Sequence, residues 1–79
     1  MKEQLNKIFQ QAFGVDRIKD SMSIDNVNGW DSMAHVGLIM ELQKTFKVSI
    51  PPADAVELTS VKKIIEYLKR NAKKISRRQ

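Results

Sequence analysis

Apolar residues recur along this chain at helical spacing in separate stretches, divided by segments that lack it. In the first stretch Leu5, Ile8, Phe9, Ala12 and Phe13 fall at i, i+3, i+4, i+7 and i+8, which places them on one face of an α-helix. Gly14 follows at once, where a helix readily ends because glycine accepts left-handed backbone. The pattern predicts a first helix of about three turns.

Residues 14–30 hold no sustained period. Asp16, Asp20, Ser21, Ser23, Asp25, Asn26 and the turn pair Asn28-Gly29 predict a long loop. A loop of this length in a small domain is usually functional or packed by its own side chains. Val15, Ile18, Met22, Ile24 and Val27 supply that packing, so the loop is expected to lie over the helices.

The second helix is expected from about Ser32 to Phe46, with Asp31 as its N-cap. At about 100° per residue, Leu38, Ile39, Leu42 and Phe46 share one face, with His35 inside it. Met33, Val36, Gly37 and Met40 fall on an adjoining face. Two apolar faces exceed what one core contact needs, which leaves the second for another protein. Met33 and Met40 suit such a surface, because an unbranched thioether adapts to several partners. Gly37 costs about 1 kcal/mol against alanine inside a helix; it either permits close approach by a partner or is a tolerated imperfection.

Val48, Ser49 and Ile50 lead into Pro51-Pro52, which cannot continue a helix but can begin one. Ala53 to Leu58 is then a short third helix. Thr59 or Ser60 caps a fourth, whose stripe is Val61, Ile64, Ile65 and Leu68. The expected fold is all-α, a four-helix bundle with a short third helix and a long loop between the first two. Residues 1–70 form the domain, and residues 71–79 a basic tail expected to be frayed helix or disordered.

Composition narrows the chemistry. Seventy-nine residues with 42% hydrophobic and 29% charged side chains make one folded domain with a modest core. Cysteine is absent, so any thiol chemistry needs a prosthetic group. The net charge is +5, yet Lys69, Arg70, Lys73, Lys74, Arg77 and Arg78 account for six of the fourteen basic residues, leaving eight against nine acids and about −1 for residues 1–68. The tail is read first as a solubilising, mobile end and alternatively as a steer for an acidic partner, a nucleic acid or an anionic membrane surface; without interleaved aromatics it does not indicate specific DNA binding. The N-terminal residues lack the apolar run of a signal peptide, and no stretch reaches a membrane span, so the expected location is cytoplasmic. Asp25 and Asp31 are too few for a metal site.

The candidate chemistry sits at Gly29-Trp30-Asp31-Ser32-Met33, where the loop turns into the second helix. Ser32 there offers a surface hydroxyl at a positive helix end. Trp30 is expected to pin the loop by burying its ring and giving its N–H to a carbonyl. Asp31, Ser32 and His35 invite a hydrolytic reading, but one helical turn offers no oxyanion hole or cleft, so no catalytic residue is assigned.

Asp31-Ser32-Met33 resembles the Asp-Ser-Leu signature of the acyl carrier protein family. Two further stretches are similar to that family: Phe46-Lys47-Val48-Ser49-Ile50-Pro51, and Leu58-Thr59-Ser60-Val61 followed by Ile65 and Leu68. The resemblance covers residues 2 to about 70. It implies a 4'-phosphopantetheine arm, drawn from coenzyme A and attached to Ser32, with Asp31 capping the helix and recognised by the transferase. It implies acyl groups carried as thioesters, and Leu38, Ile39, Leu42, Phe46, Ile50, Ile64 and Leu68 as candidate walls of an acyl pocket. It also implies a monomer that is no enzyme, served by a phosphopantetheinyl transferase, an acyl- or aminoacyl-activating enzyme, and an acyltransferase or synthase.

One departure is informative. Fatty-acid carriers usually place several carboxylates along helix two, whereas Glu41 is the sole acid between Met33 and Phe46 here. Docking is expected on Met33, Val36, Gly37, Met40 and Glu41, with weak salt dependence. Together with Trp30 and His35, this points to a carrier of a specialised biosynthetic pathway rather than the central fatty-acid one. An aminoacyl (D-alanyl or peptidyl) carrier is the alternative within the fold. A basic module for nucleic-acid or protein interaction is the alternative outside it.

Overall fold

The computed structural model describes residues 2–77, with side chains through Asn71. It holds four helices: α1 (Lys2–Phe13), α2 (Ser32–Phe46), α3 (Pro52–Ala55) and α4 (Val61–Arg77). Helix α1 buries Leu5, Ile8 and Phe9, with Phe13 packed partly beneath. Ala12 is exposed despite its place in the pattern. It lines an open groove between α1 and α2. Gly14 ends the helix at φ 72°, its N–H donating to the Gln10 carbonyl at 2.9 Å.

The long loop is tied down as well as packed. Val27 is buried, and Val15, Ile18, Met22 and Ile24 pack against the core. Polar ties hold the backbone: Ile18 N–H donates to Asn6 Oδ1 at 2.7 Å, and Gln10 Nε2 donates to the Asp16 carbonyl at 2.6 Å. Further along, Ser23 forms an antiparallel bridge with Ser60. Ile24 N–H donates to the Thr59 carbonyl (2.9 Å), and Val61 N–H donates to the Met22 carbonyl (3.0 Å). The loop is thereby strapped to the junction before α4.

Helix α2 starts and stops as its caps dictate. Asp31 Oδ1 accepts from Ala34 N–H at 2.9 Å, satisfying one free donor of the first turn. Lys47 closes the other end in left-handed backbone, φ 54°. Helix α3 is shorter than the sequence pattern predicts. It spans four residues behind Pro51, and the chain reaches Leu58 through single turns, with Glu57 N–H donating to Asp54 and Leu58 N–H to Ala55. Ser60, not Thr59, caps α4: its Oγ accepts from Lys63 N–H at 3.2 Å, while the Thr59 carbonyl serves the loop. The backbone of α4 runs to Arg77, into the stretch read as a basic tail. The side chains of residues 72–79 lie outside the described part.

One core joins these elements. Leu5 and Phe9 from α1, Leu38 and Leu42 from α2, and Val61, Ile64 and Leu68 from α4 are almost wholly shielded from water. Burying each such side chain contributes about 1.5–3 kcal/mol. Tyr67 joins the core beside the predicted α4 stripe.

Candidate functional site: a loop-to-helix serine

The residues that end the loop set the site. Trp30 is 3% exposed. Its ring stacks on Phe13 (5.5 Å between centroids) and meets Phe9 edge-on (5.4 Å), which anchors the chain one residue before the cap. Asp31 and Ser32 follow, both exposed, so the serine hydroxyl stands in water on the first residue of α2. Asp31 occupies the Ala34 N–H, and the field of a fifteen-residue helix adds positive potential at this end. A negatively charged group bonded to the Ser32 oxygen is favoured there.

Trp30 gives its N–H to a side chain, where a carbonyl was expected. Nε1–H donates to His35 Nδ1 at 3.0 Å. The other ring nitrogen, Nε2, lies 2.8 Å from the Ala55 carbonyl, an acceptor, so it carries the proton. His35 is half-buried, with Nδ1 accepting and Nε2 donating, and its ring is stacked near Trp30 at 6.1 Å between centroids. Both of its nitrogens are engaged away from Ser32, and Asp31 is engaged with the helix, so the three residues assemble no hydrolytic relay.

The second face of α2 is open. Met33 is 85% exposed, Met40 63% and Val36 61%. Gly37 and Glu41 are also exposed. They line, with Ile8, Gln11, Ala12, Ala34 and Leu38, a groove of ≈ 320 Å³ between α1 and α2. A Cβ added to Gly37 meets nothing within 4 Å, so internal packing does not require glycine there. Val56, just past α3, is 68% exposed and was missed in the sequence. Its signal was a valine beside Glu57 in a segment too short to bury it. Six residues suggested as pocket walls (Leu38, Ile39, Leu42, Ile50, Ile64, Leu68) are buried in the common core, with Phe46 packed at its margin.

A polar cleft between α3 and α4 completes the surroundings, lined by Asp54, Glu57, Leu58, Lys63, Glu66, Tyr67 and Arg70. Tyr67 Oη–H donates to Asp54 Oδ2 at 2.9 Å, with the Ser49 carbonyl at 3.3 Å as a second acceptor. Burial pushes the phenol pKa above its ordinary value, and the bond to Asp54 pushes it the same way. Among the described residues no group of three or more His, Cys, Asp or Glu could hold a metal ion. No described helix is long and apolar enough to cross a membrane.

Residues 3–68 match the family model described as "Phosphopantetheine attachment site". The chain belongs to the acyl carrier protein family. It is 37% identical over 70 residues to an "Acyl carrier protein" of Chlorobium phaeobacteroides, covering 86% of this chain and 90% of that one. The solution structure of the holo acyl carrier protein from Geobacter metallireducens superposes with a TM-score of 0.79 at 25% identity, covering 94% of this chain and 88% of that one. The all-α fold is thus that of an acyl carrier protein. The chain is a carrier and not an enzyme, and its cofactor is a covalent 4'-phosphopantetheine. Its partners include a phosphopantetheinyl transferase and acyl-handling enzymes.

Proposed function

We propose that Ser32 is the attachment residue and that this carrier serves a specialised biosynthetic pathway. The observation that carries the first part is an exposed hydroxyl on the opening residue of α2, beside a cap whose side chain holds the helix end. When bound, the arm supplies the thiol that this cysteine-free chain lacks. Its installation breaks the Ser32 O–H bond and the phosphoanhydride of coenzyme A. It forms an Oγ–P bond and releases adenosine bisphosphate and the proton. The transferase supplies the activating groups, so the chain's own task is to present the hydroxyl and favour the added negative charge. Tethering then raises the effective concentration of cargo at each partner.

The sparse charge of α2 supports the specialised assignment. Partners would read Met33, Val36 and Met40, with Gly37 allowing close approach and Glu41 as the sole acid within α2. Cargo parted from water would lie against Leu38, Ile39, Leu42, Phe46, Ile50, Ile64 and Leu68. The same departure favours an aminoacyl cargo as the second reading, for which acyl- and amino-acid-activating enzymes are the discriminating reagents. Residues 1–70 suffice for the carrier role, in the cytoplasm, with residues 71–79 as a basic appendage.

The test is intact mass after incubation with coenzyme A, magnesium and a broad-specificity phosphopantetheinyl transferase. The expected result is a gain of one phosphopantetheine that Ser32→Ala abolishes while helicity and melting stay nearly unchanged. A modified Ser32→Ala chain rejects the assignment. An unmodified wild type with several transferases brings the basic interaction module forward, with polyanion binding on a steep salt slope as its own check.

A further inference from the structure

His35 joins three segments around Ser32. It stands in the first turn of α2, accepts from Trp30 at the end of the loop, and donates to Ala55 at the end of α3. Helix α3 needs such a tie. Its four residues include none that is fully buried, and a helix that short gains little from its own cooperativity. Its side-chain ties are the His35 bond to Ala55 and the Tyr67 bond to Asp54. The residue immediately after Ala55 is Val56, an exposed apolar side chain on a different element from Met33, Val36 and Met40.

We propose that His35 is a positioning residue for partner recognition. By fixing the end of α3 to the first turn of α2, it fixes Val56 relative to Met33, Val36 and Met40. The phosphopantetheinyl transferase then meets apolar contacts from two elements at once, with the attachment serine carried on the same turn as His35. The transferase surface that fits is apolar where it meets Met33, Val36, Met40 and Val56, all of them exposed, with Glu41 as the sole acid of α2. The inference rests on the assignment of Ser32.

The two ring nitrogens can be replaced separately. The amide of asparagine reaches the position of Nδ1, and the amide of glutamine reaches that of Nε2. His35→Asn therefore keeps an acceptor for Trp30 and drops the bond to Ala55, whereas His35→Gln keeps the donor to Ala55. The readout is the initial rate of arm installation by a broad-specificity phosphopantetheinyl transferase at varied carrier concentration. His35→Asn is expected to raise KM for the carrier about tenfold, the scale of one lost hydrogen bond, with kcat unchanged. His35→Gln is expected to restore KM to within about twofold of wild type. Val56→Glu should raise KM by itself and add little on top of His35→Asn, because the double variant removes a contact already displaced. Backbone amide shifts of residues 55–58 should move in His35→Asn and stay in His35→Gln.

A wild-type KM in His35→Asn overturns the proposal, as do fully multiplicative effects of the two substitutions. Equal amide shifts in the two His35 variants, or a His35→Asn chain that does not fold, also overturn it by making the residue merely structural. A wild-type chain that accepts no arm defeats the Ser32 assignment instead, and is told apart by having no rate to compare.

Discussion

Gly37 and Met40 are the residues at which stability and function separate. Gly37 lies inside α2 with open space where a Cβ would stand. Gly37→Ala should therefore raise stability by about 1 kcal/mol, read as a higher denaturation midpoint. If partners approach closely at that point, the same substitution lowers the rate of arm installation. A more stable and equally active variant would mark the glycine as an imperfection. Met40, mostly exposed, gives the converse case. Met40→Glu should alter stability by no more than about 0.5 kcal/mol while slowing handover to a partner; a collapse of the fold would place Met40 in the core. The cap at Asp31 was legible in the sequence because capping is local chemistry. The acceptor for Trp30 was not. His35 is five positions on, and only the helix geometry together with Ala55, twenty positions beyond that, decides where its ring turns.

At the scale of elements, α1 and α2 could be read from periodicity because each buries a regular stripe. Helix α3 could not be bounded that way: four residues make little more than one turn, and its neighbours continue by isolated turns. The Ser23–Ser60 bridge was equally hidden, since a single bridge leaves no alternation in the sequence. What holds α3 to α4 is testable through Tyr67. Tyr67→Phe should cost about 1 kcal/mol near neutral pH by deleting the bond to Asp54. Its pH dependence has a definite sign. The folded chain holds the phenolic proton more tightly than the unfolded chain, so wild-type stability is full below the ordinary tyrosine value of 10.0 and falls as pH rises through the folded value above it. Urea unfolding along that alkaline limb should show the decline in wild type and lose the Tyr67 share of it in Tyr67→Phe.

Along the whole chain, basic residues gather at the C-terminal end. The body through residue 68 is close to neutral, and the exposed side of α2 beside Ser32 carries methionine and valine. Recognition there should respond weakly to ionic strength. From about 0.1 M to about 1 M salt the Debye length falls from about 10 Å to about 3 Å, and kcat/KM for arm installation should stay within about threefold. A steep fall would assign recognition to charge, and shortening the chain after residue 70 would show whether the basic end supplies it.

Trp30 has a consequence of another kind. It is the chain's only tryptophan, sealed from solvent and packed among Phe9, Phe13 and His35 two residues before Ser32. Its fluorescence therefore reports from one known place. Emission should sit to the blue of free indole and redden once water reaches the ring. Without any added dye, the carrier signals optically whether the junction that presents its serine is closed, during unfolding or while a partner is bound.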